Sequence, residues 1–300
     1  MQLDTTASGY MVRGRAVSRG GKPFCPAFYI LTFHYRSSMA SDALPLPARS
    51  GAAPRGTRDQ AAIGLGLFAL VLGAWLAIHL WAMFGLSITA GNWPLVLAVF
   101  AFQCWLSVGM FIVAHDAMHG SLAPGRPKVN QAIGATLLLV YAGFGWRRLR
   151  DAHFDHHLHV GTAADPDFHA DNPRHFWPWY TAFLKRYFGW RSMAYVWTVV
   201  LVYFLVLDVP PLNILLLYGL PAIASSLQLF YFGTFRPHRH EEQGFADRHN
   251  ARSNNYGSIA SLLTCFHFGY HHEHHLSPQV PWWQLPRRHA EWLKARSTDR

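Results

Sequence analysis

Long apolar runs separated by short polar turns dominate the chain from residue 61 onward. Four of them, at 61–84, 93–114, 193–209 and 211–233, are each long enough to cross a bilayer core as a helix, which takes about 20 apolar residues. A fifth, QAIGATLLLVYAGFGW at 131–146, is shorter and carries glycines, so it reads as a re-entrant or interfacial helix. The aromatic segment FWPWYTAFLKRYFGW at 176–190 reads as an amphipathic helix lying on the membrane surface, its Trp and Tyr side chains serving as interfacial anchors. The pattern predicts an all-α integral membrane protein: four transmembrane helices plus re-entrant or interfacial helices. Residues 1–58 are polar and basic and lack the apolar core of a secretory signal, so they are expected to form a loose, disordered cytoplasmic tail. The membrane domain is expected over 59–293, with a C-terminal tail at 294–300. Nothing before Met39 resembles part of a membrane fold, which makes Met39 an alternative start of translation.

Composition agrees with the pattern: 51% of residues are hydrophobic and 14% are charged, against about 25% charged in soluble domains. The net charge of +10 is no sign of a nucleic-acid partner, because the basic residues collect at the ends of the apolar runs, as in WRRLR (146–150) and LKRYFGWR (184–191). The turn GLSITAGN (85–92) has no Lys or Arg, and the turn near 208–213 has only Asp208. By the positive-inside rule these two turns face outward, and both termini and the long loops face the cytoplasm. Three scattered cysteines, Cys25, Cys104 and Cys265, are too few for a disulfide framework or a Cys-rich zinc site.

The 19 histidines change the picture. Most fall in HDAMHG (115–120), RDAHFDHHLH (150–159) and HFGYHHEHHL (267–276), all at the cytoplasmic face in this topology. His115 and His119 are spaced i, i+4 and share one face if the second span continues as a helix. His153, His156 and His157 follow i, i+3, i+4, and so do His271, His274 and His275. Each triplet can aim its rings at a common point. Clustered imidazoles would repel one another if protonated, whereas neutral imidazole is a good metal ligand. Eight of them exceed the four to six positions of one metal and suit two metals close together. All-nitrogen ligation admits zinc, copper, iron or nickel. Structural zinc takes four ligands and catalytic zinc three, so two irons with open positions for dioxygen fit the count better, although spacing alone does not exclude two zincs. His79, alone in the first span, reads as a satisfied core side chain.

HDAMHG, HFDHH and HHEHH resemble the three histidine boxes of the membrane fatty acid desaturase and hydroxylase superfamily. More narrowly, HDAMHGSLAPGRP (115–127), AHFDHHLHVGTAADPDFH (152–169), YFGWR (187–191) and HFGYHHEHHLSPQVPWWQLP (267–286) resemble the bacterial β-carotene ketolases, over residues 60–293. The resemblance implies a cytoplasmic His-rich di-iron cap on a multi-pass protein of the bacterial inner membrane. It implies two iron ions, dioxygen as co-substrate, a carotenoid substrate and a reduced ferredoxin-type electron donor, since no flavin, haem or nicotinamide fingerprint is present. The implied reaction is two successive hydroxylations at ring carbon 4 and a dehydration, taking β-carotene to echinenone and canthaxanthin, and zeaxanthin to astaxanthin. Carried across residue by residue, the boxes supply His115, His119, His153, His156, His157, His271, His274 and His275 as ligands. Related enzymes often take one more from the segment after the last span; in FGTFRPHRHEE (232–242) this is His238, with His240 as rival. His159, His267 and His272 then read as supporting or surface groups.

Metal-bound imidazoles often pass their other N–H to a carboxylate. Asp116 is the residue expected in that supporting catalytic role, with Asp155 and Glu273 also inside boxes. Asp165 and Asp167 of ADPDF are expected to position their loop or line the ring pocket. Two other readings compete. A fatty acyl desaturase or hydroxylase would use the same boxes. A metal transporter would want ionisable groups in its spans, which hold little beyond His79, Gln103 and Gln228.

Overall fold

The computed structural model describes residues 55–298, and no strand occurs among these described residues. The expectations for the tail and for Met39 concern residues that lie outside them, apart from 55–58.

Helix α1 (Arg55–Phe84) begins inside the stretch expected as tail. Its first turns are fixed by Gln60, whose amide donates to the Ser121 carbonyl at 2.7 Å. The turn to α2 (Trp93–His119) is closed by Asn92, which donates to the Ser87 carbonyl at 2.8 Å and accepts the Thr89 N–H at 2.9 Å. α2 stops at Gly120, whose left-handed φ of 73° lets its N–H return to the Ala117 carbonyl. His115 and His119 therefore stand near the end of a largely buried helix.

α3 (Pro127–Ala142) covers the short apolar run and ends at left-handed Gly143. At about 24 Å long it falls short of the roughly 30 Å hydrocarbon core, and it packs along α2. α4 (Trp146–His159) comes at once after it. Its Trp146 ring sits on Gly134 of α3, where any Cβ would collide with the indole. This close approach orients α4, which carries the second histidine triplet.

Among the described residues, three helices are long and apolar enough to cross a membrane: α1, α2 and α7 (Pro211–His238). The fourth expected span, 193–209, falls on α6 (Trp190–Val206), which qualifies only together with α5 (Phe176–Tyr187), the two meeting at a bend of 81°. The number of spans is thus three, or four if the bent pair counts as one. The chain leaves α6 through Asp208, at a φ of 52°, and Pro210. α7 contains two π-helical segments, Leu215–Gly219 and Tyr231–Phe235. Each π turn inserts a residue and rotates the helix beyond it; the second lies just before His238. At the other end of α7, the Asn213 amide donates to the Ala82 and Leu86 carbonyls, both at 2.7 Å, and so ties the start of α7 to the end of α1.

The remainder forms α8 (Ser258–Cys265), α9 (His271–Leu276) and α10 (Leu285–Thr298). α10 runs through most of the residues expected as a C-terminal tail, with Arg287 and Arg288 paired to Glu291 on its surface. Between α8 and α9, Phe266 and His267 take left-handed backbone, at φ 47° and 62°. Phe266 then stacks on Trp105 of α2 at 4.6 Å and lies against Gly109, where a Cβ would meet its ring. The main core joins these residues to α1, α2 and α3, including Trp75, Met110, Ile112 and Leu138. It seats α9 against the ends of α2 and α4.

Two of the polar residues of the spans, His79 and Gln228, are used within the fold, whereas the buried Gln103 side-chain amide has no hydrogen-bond partner among the described residues. His79 shares a 2.8 Å hydrogen bond with the Tyr203 hydroxyl and stacks on Trp75, and Gln228 donates to the Thr264 carbonyl at 2.7 Å. Both serve helix contacts rather than an ion pathway.

Candidate metal centre

Nine imidazoles converge where α2, α4, α7 and α9 meet. They form two groups, within each of which one ligand atom per ring lies within 4.8 Å of all the others. The first holds His115, His119, His153, His157 and His274; the second holds His156, His238, His271 and His275. These are the nine histidines singled out from the sequence. His240 joins neither group, and its ring packs on Phe168 at 4.8 Å.

Helical geometry explains the division. At 3.6 residues per turn, the first and last members of an i, i+3, i+4 triplet lie about 40° apart, and the middle one falls about 60° to the other side of the first. α4 accordingly gives His153 and His157 to the first group and His156 to the second. α9 does the reverse, giving His271 and His275 to the second and His274 to the first. The two helices exchange one ring each, which holds the groups side by side; His157 and His275, from different groups, stack at 4.2 Å.

Hydrogen bonding does not account for the arrangement. A neutral imidazole Nε2 offers one N–H or one lone pair. Yet His153 Nε2 faces His119 Nε2 at 2.7 Å and His157 Nε2 at 3.1 Å. His271 Nε2 likewise faces His238 at 2.8 Å and His275 at 3.1 Å. His115 is buried, and neither of its ring nitrogens has a partner among the described residues. Ligands bound to one ion at about 2.1 Å and at right angles would hold their nitrogens about 3.0 Å apart, which matches these separations. The donor set fits metal ions. Burial, followed by the neighbouring rings, lowers the pKa values of His153, His157, His271, His274 and His275 well below the ordinary value. This favours the neutral rings, which can offer a lone pair to a metal.

Two rings have their other nitrogen fixed. His156 Nδ1 donates to both oxygens of Asp165, at 2.9 and 3.0 Å, and His238 Nδ1 donates to the Asn250 carbonyl at 2.8 Å. Each leaves Nε2 as the acceptor turned to the second group. Asp165 is held in turn by the Gly161 and Asp167 N–H groups, both at 2.8 Å. Burial alone would raise its carboxyl, but the hydrogen bond and charge of His156, with these amides, outweigh it and hold it below the carboxylate range. For His156, burial acts to lower the ring and Asp165 overcomes it, so the net shift is upward.

The sequence points to Asp116 as the carboxylate in this role, and the structure differs. Asp116 Oδ1 lies 3.6 Å from His115 Nδ1, beyond hydrogen-bond reach, and its other oxygen accepts the Trp282 N–H at 2.9 Å. It pins the segment before α10 to the end of α2. Glu273, fully buried inside the third box, accepts from His289 Nδ1 at 2.9 Å and from the Ser253 hydroxyl. His272 pairs with Asp247 at 2.7 Å. Both residues anchor α9 from the side facing away from the imidazole groups.

A cavity opens onto both groups, reaching His115 and His153 of the first and His156 and His271 of the second. Its wall is largely apolar and rich in aromatic residues, among them Phe111, Phe144, Phe188 and Phe268. α5 contributes Tyr180, Phe183 and Tyr187 to this wall. Its aromatic face packs on Phe230 and Phe235 of α7, and two of the residues read as surface anchors, Tyr180 and Tyr187, line the cavity.

Apolar helices long enough to span a membrane, a nine-histidine cluster able to hold metal at their ends and an apolar cavity facing it point to a membrane protein with a metal centre. The profile of the fatty acid desaturase family matches residues 90–197 and 175–299, and the chain belongs to that family. Within it, the chain groups with the β-carotene ketolases. It is 48% identical to the beta-carotene ketolase of Paracoccus sp. (strain PC1), over 79% of this chain and 96% of the relative. A second Paracoccus sp. beta-carotene ketolase (strain N81106 / MBIC 01143) is also 48% identical, over 76% and 93%. The zeaxanthin 4-ketolase of Chlamydomonas reinhardtii is 35% identical, over 78% of this chain and 54% of its own. No solved structure matches the chain.

The position of His238 has a direct consequence. His238→Ala is expected to lower the second group's metal affinity and the product yield by at least about tenfold, the scale on which metal centres respond even to the loss of supporting partners. His240→Ala should leave both within about twofold. Metal affinity and product yield of the two variants, measured side by side, check this.

Proposed function

We propose that the protein is a di-iron, dioxygen-dependent β-carotene 4-ketolase. It converts the C4 methylene groups of β-carotene rings to ketones by two successive hydroxylations and a dehydration, giving echinenone and then canthaxanthin, and it takes zeaxanthin toward astaxanthin. The observation that carries this reading is one aromatic-walled cavity touching both imidazole groups, in a chain whose relatives are ketolases.

Iron is favoured because five imidazoles in the first group exceed what tetrahedral zinc accepts, and imidazole donors suit iron. His115, His119, His153, His157 and His274 would hold one ion, and His156, His238, His271 and His275 the other. The bound irons would supply the activation of dioxygen. Each hydroxylation consumes one dioxygen, two electrons and two protons and releases one water. The second gives a geminal diol, which loses water to the ketone. Electrons come from a reduced ferredoxin-type donor.

The chain's own residues set the conditions. A hydrocarbon ring offers no polar handle, so shape and dispersion against Phe111, Phe144, Phe188 and Phe268 must orient it. The same walls keep bulk water from the reacting carbon. Asp165 and the Asn250 carbonyl hold His156 and His238 in the tautomer that presents Nε2 to the metal. In the membrane arrangement we favour, the α5–α6 pair completes four spans. The basic ends of the helices, the imidazole groups and both termini then face the cytoplasm, across the bacterial inner membrane.

Expression in carotene-accumulating bacteria tests the reading. A yellow-to-orange-red change, with a conjugated ketone on the carotenoid ring by mass spectrometry, is expected. Altered acyl chains with unchanged carotene would overturn it in favour of a fatty acyl desaturase or hydroxylase.

A further inference from the structure

One carboxylate in the cavity is left without a role by the ketolase reading. Asp167 lines the cavity, as do His153 and His156, and it is joined to His156 through Asp165. Three contacts fix it in place. Its backbone N–H donates to Asp165 Oδ1 at 2.8 Å, its backbone carbonyl accepts the Trp179 indole N–H at 2.6 Å, and its Oδ1 accepts the Tyr187 hydroxyl. Oδ2 has no hydrogen-bond partner among the described residues. Of the other hydroxyls around the cavity, Tyr141 pairs with Ser225 at 2.9 Å and Tyr180 with Ser226 at 2.6 Å; Thr234 lines it as well, but it carries no acceptor charge.

A carboxylate oxygen facing an apolar cavity is costly unless a ligand satisfies it. An unoxidised hydrocarbon ring cannot. The first polar group that the reaction creates on the ring is the alcohol left by the first hydroxylation, and that alcohol forms next to the imidazole groups, where Asp167 lies. We infer that Asp167, held by Tyr187, binds this ring alcohol and keeps the half-oxidised ring in place, its remaining C4 hydrogen turned to the metal centre, for the second hydroxylation. The inference rests on the ketolase reading.

The test is the partition of products from β-carotene, measured as the ratio of ring alcohol to ring ketone in the membrane-inserted protein. Asp167→Leu and Tyr187→Phe are each expected to raise that ratio roughly tenfold, the effect of losing one hydrogen bond of about 1.4 kcal/mol. Asp167→Asn, whose oxygen can still accept from Tyr187 while its N–H2 donates to the alcohol oxygen, should stay within about threefold of the unsubstituted protein. An unchanged ratio with less total oxidation would show a structural role only and overturn the inference. Impairment confined to zeaxanthin, with normal partition from β-carotene, would assign the pair to a hydroxyl already on the incoming ring and also overturn it. If Asp167→Leu fails to insert, the ratio for Tyr187→Phe decides. Absence of any ketone from the unsubstituted protein would overturn the ketolase reading itself.

Discussion

Replacing His271 with alanine is expected to cut ketone formation by at least about a hundredfold and to reduce bound iron from two ions to one. Loss of supporting partners alone costs metal centres about 10–100-fold, and His271 stands closer in than those. Its Nε2 lies 2.8 Å from His238 and 3.1 Å from His275, so three of the four rings in the second group converge through it. It also lines the cavity. The adjacent residue supplies the control. His272 turns away from both groups to Asp247, so His272→Ala should keep two irons and most of the activity. Product yield and iron content of the two variants, with membrane insertion checked in each, separate loss of a ligand from loss of the helix.

Asp165→Ala is expected to have the next largest effect, a fall of about 10–100-fold in iron affinity or turnover. The carboxylate takes the Nδ1 proton of His156 and gathers the Gly161 and Asp167 N–H groups. Without it His156 can adopt the tautomer that turns an N–H, rather than a lone pair, to the second group. Asp116→Ala should behave differently. It strands the buried Trp282 N–H, which costs about 1–3 kcal/mol of stability, while iron content in the folded fraction stays near that of the unsubstituted protein. Iron titration paired with thermal unfolding in detergent distinguishes the two carboxylates.

The contrast between these aspartates shows how far the sequence can be read. The i, i+3, i+4 spacing of the triplets depends only on helical periodicity, so the candidate ligands are legible from the sequence. Their division into groups of five and four is not, because it depends on how α4 and α9 face each other. Asp116 is adjacent in sequence to a candidate ligand, which makes it conspicuous. Asp165 lies nine residues beyond His156 and reaches it only because the chain reverses at Gly161, with a φ of 70°. The apolar runs foretell α1, α2 and α7 well. The fourth expected span, 193–209, is less simple, because its helix has the length and hydropathy of a span only together with α5, across an 81° bend. The aromatic segment at 176–190 is legible as amphipathic, but its partner, Phe230, is far away in sequence.

Metal analysis of the protein purified from iron-replete cells decides whether the nine histidines form two adjacent sites occupied by iron. About two irons per chain are expected, falling to about one in His271→Ala. One metal per chain in the unsubstituted active protein, or two zincs in place of iron, would contradict this.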